Sequence, residues 1–221
     1  RKESSAASDV YKRQTTNAAK TTRNALFPAV FAIFIHFSGD GLCIKDYVLI
    51  DPCCGSGGMF VQSTDLIREK RGDIRRINVY GQEKEAATYR LAKMNLALRG
   101  ISHNLGEESD STFTHDLFKG LYFDYIMANP PFNLKGWYDD NLKNDSRWVD
   151  YQTPPESNAN YAWILHILSH LKALKGVAGF LLANGALGDS DTLEIRKKLI
   201  QNDKVLSLIH ISEPTRPEPI S

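Results

Sequence analysis

A glycine-rich turn, set between an apolar run and a helical pattern, constrains the fold of this chain more than any other feature. The apolar residues Tyr47-Val48-Leu49-Ile50 lead into Asp51-Pro52-Cys53-Cys54-Gly55-Ser56-Gly57-Gly58, and helical periodicity begins near Met59. A strand, a glycine-rich turn and a helix in this order form the first unit of a doubly wound nucleotide-binding fold. We therefore expect a buried strand ending at Asp51 and a ligand that approaches the glycine backbone closely.

The spacing of the turn indicates which kind of ligand it binds. It is not Gly-x-Gly-x-x-Gly, and it lacks the Lys-Ser/Thr pair of a phosphate-binding loop. Asp51 at the strand end can accept hydrogen bonds from an ammonium or amide group, so a cationic, amino-acid-like ligand fits better than a phosphate. Cys53 and Cys54 are expected to be packing residues, because with Cys43 they form neither a disulfide framework nor a zinc-ligand spacing.

Strand and helix patterns alternate along the chain, which predicts parallel strands joined by crossover helices. The predicted strands span residues 47–51, 77–82, 111–114, 123–128 and 177–183. The predicted helices span residues 59–70, 85–99 and 161–174, with a further helix opened by Asp191. The predicted buried face of the second helix consists of Ala87, Leu91, Met94 and Leu98.

Polar residues stand at or just after the ends of four predicted strands. They are Asp51, Glu83, Asp116 and Asn129. Each acid also has an ordinary structural interpretation: Asp51 can cap the next helix, Glu83 can favour a helix N-terminus, and Asp116 can be a solvated turn residue. Because the carboxyl ends of parallel strands share one edge of the sheet, the four residues together favour a single binding site.

The segment Asn129-Pro130-Pro131-Phe132 follows an apolar run and carries its own chemistry. The asparagine amide offers an acceptor and donors in one plane, the prolines stiffen the backbone, and Phe132 supplies a stacking face. That combination suits the gripping of a base extruded from a nucleic acid. A simple strand-ending turn is the alternative, since proline stops strands and asparagine starts turns.

Taken in order, these segments resemble a known family. Residues 51–59, 80–83, 90–96, 129–132 and 176–183 are similar to the methylation subunit of a type I restriction-modification system, and the resemblance extends over residues 47–205. It implies an adenine-N6 DNA methyltransferase that uses S-adenosylmethionine. The implied fold class is α/β, a Rossmann-like methyltransferase fold with a mostly parallel sheet, truncated at both ends.

The resemblance also implies roles for individual residues. The implied cofactor-binding residues are Asp51, Pro52, Gly55, Ser56, Gly57, Gly58, Glu83 and Asp116, and the implied catalytic residues are Asn129, Pro130, Pro131 and Phe132. Glu83 would accept hydrogen bonds from the ribose hydroxyls, and Asp116 would lie near the adenine amine of the cofactor. Asn129 and the Pro130 carbonyl would accept hydrogen bonds from N6 of a flipped adenine that stacks on Phe132. Neither a metal nor a covalent enzyme intermediate is implied.

The implied partners are double-stranded DNA with a flipped adenine and the specificity and restriction subunits of a type I complex, in the cytoplasm of a prokaryote. The formal net charge is only +1, which favours a partner that supplies much of the DNA contact. A membrane anchor is not expected, because the apolar stretch 25–37 is too short to span a bilayer and is interrupted by Pro28.

Alternatives remain open at this point. Similar Asn-Pro-Pro-aromatic sites methylate RNA bases or a protein glutamine amide, and the chain could also be an inactive fragment that only binds the cofactor. The loop 134–160 mixes aromatic and basic residues that either approach nucleic acid or pack inside the protein. Four further residues resemble the family without an assignable role: Asn158, Asn160, Tyr161 and Trp163.

The two ends of the chain are related at the nucleotide level. Asp9-Val10-Tyr11-Lys12-Arg13-Gln14 can be encoded by GAT GTG TAT AAG AGA CAG, whose reverse complement encodes Leu206-Ser207-Leu208-Ile209-His210-Ile211. That DNA resembles a transposon adapter used to make sequencing libraries. We therefore expect residues 1–14 and 206–221 to be adapter-derived, residues 15–46 to be of uncertain or frameshifted origin, and residues 47–205 to be a partial methyltransferase catalytic domain.

Overall fold

Two compact units divide the chain, one spanning Ser38–Lys198 and the other made of Arg1–Phe37 with Leu199–Ser221. The computed structural model describes residues 47–70, 72–173 and 175–208. In the second unit the described residues are 199–208, which include the end of a helix and an exposed segment without regular secondary structure. The interpretations of residues 1–14, 15–46 and 209–221 lie outside the described residues.

A five-stranded parallel sheet forms the centre of the first unit. Its strands are β1 (Tyr47–Asp51), β2 (Ile77–Gly81), β3 (His103–Asn104), β4 (Tyr125–Ala128) and β5 (Val177–Phe180). The helices are α1 (Gly58–Glu69), α2 (Ala86–Leu98), α3 (Asn160–Ser169) and α4 (Leu193–Gln201). All the strand pairs are parallel, so the predicted α/β fold class is confirmed.

The strand order β3-β2-β1-β4-β5 places a topological switch point beside β1. The chain winds outward from β1 through β2 to β3, and then returns to add β4 on the other side of β1. In the register, Leu49 lies opposite both Val79 of β2 and Tyr125 of β4. Ligands of doubly wound folds bind beyond the carboxyl ends of the strands at such a switch point. In this chain that place lies between the residues that follow β1 and those that follow β4.

An apolar cluster fixes these strand ends relative to one another. Its buried members come from β1, β4, α3 and the segment before β4, and they are Ile50, Phe118, Phe123, Ile126, Ala128 and Ile167. Tyr80 of β2 packs edge-on against Phe118 and Phe123, with ring centroids 5.4 Å apart in both pairs. Because packed interiors deform little, a site at this edge rests on a rigid support.

The buried face of α2 is not the predicted one. The sequence pattern predicted that Ala87, Leu91, Met94 and Leu98 face the protein interior. The helix instead buries Tyr89, Ala92 and Leu96, whereas Met94 and Leu98 are 56% and 78% exposed. The predicted face was therefore wrong.

Two contacts explain which face of α2 is buried. The Leu96 side chain lies 3.4 Å from the position that a Cβ on Gly57 would occupy, so it packs directly on the glycine-rich turn. The Tyr89 hydroxyl donates a hydrogen bond of 2.8 Å to the Gly106 carbonyl. Because its polar tip is satisfied there, the tyrosine ring can be buried with the aliphatic residues.

The third strand also differs from the prediction. Residues 111–114 were predicted as a strand, but they form a loop and turn, and β3 is the short pair His103–Asn104. The carbonyls of Thr112 and Phe113 accept hydrogen bonds from the Arg147 guanidinium, at 2.9 and 2.6 Å. Carbonyls held by a distant arginine are not available to a neighbouring strand, so this segment leaves the sheet.

Several predicted element ends shift by a few residues for identifiable reasons. The helix predicted over 161–174 ends at Ser169, because the His170 carbonyl and the Lys172 N–H pair with the backbone of Phe123, at 2.8 and 3.0 Å. The last helix begins at Leu193, and Asp191 lies in a 3₁₀ turn (Ser190–Thr192) that precedes it. Asp189 caps that turn, since its carboxylate accepts from the Asp191 N–H at 3.1 Å. In the described part of the chain, no helix is both long and apolar enough to cross a membrane.

The burial of α2 gives a test with a matched control on the same helix. Leu96 is fully buried, so Leu96→Ala should lower the free energy of unfolding by about 2–5 kcal/mol through lost packing and a residual cavity. Leu98→Ala removes the same atoms from an exposed position and should change that free energy by less than about 0.5 kcal/mol. Urea unfolding of both variants measures the difference. An equal loss in the two variants would contradict this orientation of the helix.

Candidate active site at the carboxyl edge of the sheet

The glycine-rich turn leaves β1 with its backbone open to a ligand. Gly55 and Gly57 adopt φ values of +54° and +76°, a left-handed conformation that favours glycine. A Cβ added at Gly55 or Gly58 would meet nothing within 4 Å, so open space lies in front of both residues. Gly57 is also the residue that precedes the first turn of α1. Gly55, Ser56 and Gly58 are therefore at a surface that a ligand can approach, whereas Pro52 and Gly57 are buried.

The Glu83 carboxylate joins the end of β2 to this turn. It accepts hydrogen bonds from the Gly55 N–H at 3.0 Å and from the Glu85 N–H at 2.8 Å. A carboxylate has about four lone-pair positions, so two remain for a ligand. The structure thus brings two of the predicted site elements, the glycine-rich turn and Glu83, into direct contact.

Asp51 is a buried carboxyl group at the point where β1 ends. Its side chain accepts a hydrogen bond of 3.0 Å from the Cys53 N–H, and the residue is 2% exposed. Burial raises the pKa of Asp51 from 3.8 to about 7, the charge of Glu83 adds to the rise, and the hydrogen bonds from Cys53 offset it only in part. A nearby cation would favour the ionised form of this carboxyl group.

The two cysteines of the turn have the properties of packing residues. Burial, followed by the charge of Asp51, raises the pKa of the Cys53 thiol well above its ordinary value. Burial also raises the pKa of Cys54, which lies against Gly81, 3.1 Å from where a Cβ on that glycine would stand. Nucleophilic cysteines require a lowered pKa, so this environment favours neutral, unreactive thiols.

The tetrapeptide Asn129-Pro130-Pro131-Phe132 begins directly after β4. Asn129 and Pro131 are exposed, Pro130 is buried, and the Phe132 ring is 52% exposed. Ile50 of β1 pairs with Ile126 of β4, so Asp51 lies level with Met127, two residues before Asn129. Adjacent strands are about 4.8 Å apart. Asn129 and the glycine-rich turn therefore follow the ends of two neighbouring strands, at the same edge of the sheet.

Asp116 is the predicted site residue whose carboxylate points elsewhere. One oxygen accepts from the Phe118 N–H at 3.1 Å, and the other pairs with His170 Nε2 at 2.8 Å. Burial alone would raise the pKa of Asp116, but the hydrogen bond from His170 and the neighbouring histidines hold it below its ordinary value. Its place near the adenine amine of the cofactor stays a prediction.

Asp110 is a residue that sequence reasoning did not identify. Its backbone N–H donates to the Glu83 carbonyl at 3.0 Å, and its own carbonyl accepts from the buried Gln82 side chain at 3.3 Å. These bonds hold Asp110 beside the end of β2. The sequence does show an acid at this place in the loop after β3. However, the third strand was wrongly predicted over 111–114, so the acid expected after its end was Asp116 instead.

Three titratable side chains behind the site have ligand atoms within 4.8 Å of one another and so form a candidate metal cluster: Asp116, His166 and His170. However, Arg147 Nη1 lies 3.2 Å from His166 Nδ1. A guanidinium can only donate, so Nδ1 accepts and the proton of the neutral ring is on Nε2. Burial, with the neighbouring His170, lowers the pKa of His166 to about 3. Hydrogen bonding accounts for the cluster, and the arginine disfavours a cation there.

Arg147 connects the loop after the tetrapeptide with the glycine-rich turn through Thr112. It forms a two-pronged ion pair with Asp145, at 2.9 and 2.8 Å, in addition to its bonds with the carbonyls of Thr112 and Phe113. The Thr112 hydroxyl in turn donates to the Pro52 carbonyl of the glycine-rich turn at 2.6 Å. The tryptophans of this loop, Trp137 and Trp148, are buried, so packing is the role the structure gives them.

Comparison with known proteins identifies relatives over the same residues. The family model described as N-6 DNA Methylase matches residues 40–214. The methylase subunit of the type I restriction enzyme HindI from Haemophilus influenzae is 42% identical over 161 residues, covering 72% of this chain and 36% of the relative. The MjaIX methylase subunit from Methanocaldococcus jannaschii is 40% identical over 176 residues, covering 77% and 31%.

Solved structures agree with this result. The type I restriction-modification system methyltransferase subunit from Streptococcus thermophilus has a TM-score of 0.61 at 29% identity, covering 76% of this chain and 36% of that one. A Listeria monocytogenes protein described as a class I S-adenosylmethionine-dependent methyltransferase has a TM-score of 0.60 at 18% identity, covering 78% and 50%. This second likeness shows the fold alone.

The chain spans about a third of the length of the curated relatives described above, 36% and 31% in the two cases. The family match, in contrast, includes every residue that the structure describes. It also includes the glycine-rich turn, Glu83 and the tetrapeptide. The chain therefore belongs to the N-6 DNA methylase family.

Proposed function

We propose that this chain is the catalytic core of the methylase subunit of a type I restriction-modification system, and that it transfers a methyl group from S-adenosylmethionine to N6 of adenine in DNA. The observation that carries the proposal is the parallel pairing of β1 with β4, which sets the glycine-rich turn beside Asn129 at one edge of the sheet. The family match and the named relatives favour DNA over the RNA-base and protein-glutamine substrates that the tetrapeptide alone allows.

The residues of the turn fit the amino-acid end of S-adenosylmethionine. The open space at Gly55 and Gly58 lets a ligand lie against the backbone. The Asp51 carboxyl group accepts hydrogen bonds from Cys53 of its own turn, and the ammonium group of the ligand would supply the positive charge that ionises it. The two unused lone-pair positions of Glu83 would accept the ribose hydroxyls. Asp110, which the backbone holds beside Glu83 while its carboxylate pairs with His115 and the Ser111 N–H, is a second candidate beside Asp116 for contact with the cofactor adenine.

S-Adenosylmethionine, when bound, supplies an electrophilic methyl group on a sulfonium. The task of the protein is then to hold the N6 amine of adenine in line with that group. Asn129 and the Pro130 carbonyl would accept hydrogen bonds from the amine and draw its lone pair toward the methyl group. Because the amine and the methyl group are held in a reactive orientation instead of meeting at random in solution, such positioning accounts for a large part of the rate enhancement. As the methyl group moves from sulfur to N6, the amine must lose one proton; because both acceptors are neutral, that proton would pass to solvent. None of these steps requires a nucleophilic side chain.

The target adenine must leave the DNA stack to reach this edge of the sheet. Flipping costs a few kcal/mol, and stacking on an aromatic ring returns about 1–3 kcal/mol. The half-exposed Phe132 ring stands next to the acceptors and would provide that stacking. We propose that the flipped adenine lies between Phe132 and Asn129.

The partners proposed for this core are DNA and the specificity and restriction subunits of a type I complex. The relatives are named as subunits of type I restriction enzymes, and the net charge of only +1 leaves the chain without a strong attraction for DNA phosphates of its own. A specificity subunit would then supply both the choice of sequence and much of the DNA contact.

Removing the Asn129 amide tests the chemical assignment. In an intact methylase subunit that carries this core, assembled with its specificity subunit, Asn129→Ala should reduce methyl transfer by about 10²–10³-fold or more, because a preorganised acceptor is lost. Cofactor affinity should change little. The control is Asn78→Ala, an exposed asparagine level with Val48 at the other end of the strands. Mass spectrometry of digested DNA measures N6-methyladenine; unchanged turnover, or methylated cytosine as the product, would contradict the proposal.

The raised pKa of Asp51 predicts how cofactor affinity depends on pH. The carboxyl group is largely protonated below its pKa of about 7, and it must lose that proton to pair with an ammonium group. Affinity for S-adenosylhomocysteine should therefore rise by up to about tenfold per pH unit from about pH 5 to about pH 7 and then level off. Asp51→Asn should remove the slope, whereas Asp65→Asn, at a partly exposed carboxylate on α1, should keep it. Calorimetry at several pH values measures this, and an unchanged slope in Asp51→Asn would remove Asp51 from the site.

A further inference from the structure

Asn133, the residue directly after Phe132, has a left-handed backbone conformation. Its φ is +54°, and within the described ranges Asp203 is the only other non-glycine residue with a positive φ. Residues other than glycine persist in this conformation when their surroundings hold them there, and such residues concentrate at functional sites. A contact that holds Asn133 would therefore also determine the direction in which the chain leaves Phe132.

Asn160 makes that contact through both ends of its amide. Its Oδ1 accepts a hydrogen bond from the Asn133 N–H at 3.0 Å, and its Nδ2 donates to Asn133 Oδ1 at 2.9 Å. Next to this pair, the Ala159 N–H donates to the Leu134 carbonyl at 3.0 Å. Asn160 is only 4% exposed. Asn133 is exposed, so the pair is reciprocal and is shielded from solvent on the Asn160 side. It joins the residue after the tetrapeptide to the start of α3.

The helix behind Asn160 is a rigid support. All residues from Asn160 to Ile167 are buried, so α3 is enclosed on every side. The Tyr161 hydroxyl donates to the Ala186 carbonyl at 3.1 Å, which anchors the first turn of the helix. A side chain on such an element keeps its position, and Asn160 can transmit that position to Asn133.

The other end of the tetrapeptide is fixed by the sheet. Ala128 ends β4, which pairs with β1 on one side and β5 on the other. Its carbonyl accepts a hydrogen bond from the Leu181 N–H at 3.2 Å. Backbone pairing therefore holds one end of the chain between Ala128 and Asn133, and two prolines stiffen its middle. At the far end, Asn160 is the side chain that hydrogen-bonds Asn133 in the described part of the protein.

We propose that Asn160 is a positioning residue for the target base: by holding Asn133 in its left-handed conformation, it aims the Phe132 ring at the flipped adenine. The inference rests on the function proposed above and extends it to a residue that touches neither cofactor nor base. In this account the loss of Asn160 misdirects the stacking ring and leaves the cofactor side of the site intact.

Asn158 provides a matched control, because it contacts the same helix end without touching Asn133. Its Oδ1 accepts a hydrogen bond from the Asn160 N–H at 3.2 Å. If Asn160 served only to stabilise the start of α3, then removing either side chain should have similar consequences. If it positions the tetrapeptide, only the Asn160 variants should lose turnover.

The experiment uses an intact methylase subunit carrying this core, assembled with its specificity subunit and a DNA duplex containing its site. We expect Asn160→Ala to lower kcat by about tenfold to a hundredfold, as small misplacements of reacting groups do. The KM for S-adenosylmethionine should stay within about twofold. Asn160→Asp keeps the acceptor for the Asn133 N–H and should fall between wild type and Asn160→Ala, whereas Asn158→Ala should keep wild-type kcat.

A double-mutant cycle with Phe132→Ala decides whether Asn160 acts through the ring. When the ring is absent, Asn160→Ala should lower kcat by no more than about a further twofold, because coupled residues are not additive. Multiplied losses, a wild-type kcat in Asn160→Ala, or equal losses in the Asn158 and Asn160 variants would each overturn the inference. If Asn160→Ala fails to fold, wild-type kcat in Asn160→Asp would also overturn it. A wild-type complex that does not methylate adenine would instead reject the proposed function itself.

Discussion

The parallel pairing of β1 with β4 is the constraint on which the rest of this site depends. Two elements that are distant in sequence, the turn after Asp51 and the tetrapeptide that starts at Asn129, become neighbours because their strands are adjacent and aligned. The pairing is itself supported by the apolar cluster around Ile50, Phe123 and Ile126. A site assembled from strand ends inherits the rigidity of the sheet, which suits chemistry that depends on alignment rather than on a reactive side chain.

Buried polar contacts then set the loops that extend beyond the strands. Gln82, at the end of β2, is 1% exposed, and its amide bonds the loop that carries Asp110. Arg147 and Thr112 link the loop after the tetrapeptide to the glycine-rich turn. In a low-dielectric interior such groups are stabilising only when all are satisfied, so each of these residues specifies one loop arrangement. Side-chain hydrogen bonds between loops, rather than the backbone bonds of the sheet, therefore order the loops around the site.

Local patterns were enough to predict β1, the glycine-rich turn, β2 and the tetrapeptide, because apolar runs, glycines and prolines act on their immediate neighbours. They did not reveal which face of α2 is buried, since that depends on Leu96 meeting Gly57 from another part of the chain. The third strand failed for the same reason, because Arg147 holds residues 35 positions away. Asn160 resembled the family without an assignable role, and its contact with Asn133 across 27 positions became visible only in three dimensions. The adapter-derived origin of residues 1–14 and 206–221 stays a prediction.

We propose that one edge of the sheet binds the cofactor on the β1 side and presents its reactive end to Asn129 on the β4 side. The most direct measurement is an experimental structure of an intact methylase subunit carrying this core with S-adenosylhomocysteine bound. We expect the amino-acid end of the ligand against Asp51 and Gly55, the ribose at Glu83, and the sulfur facing Asn129. A ligand bound elsewhere on the protein, or at this edge with its sulfur turned away from Asn129, would contradict it.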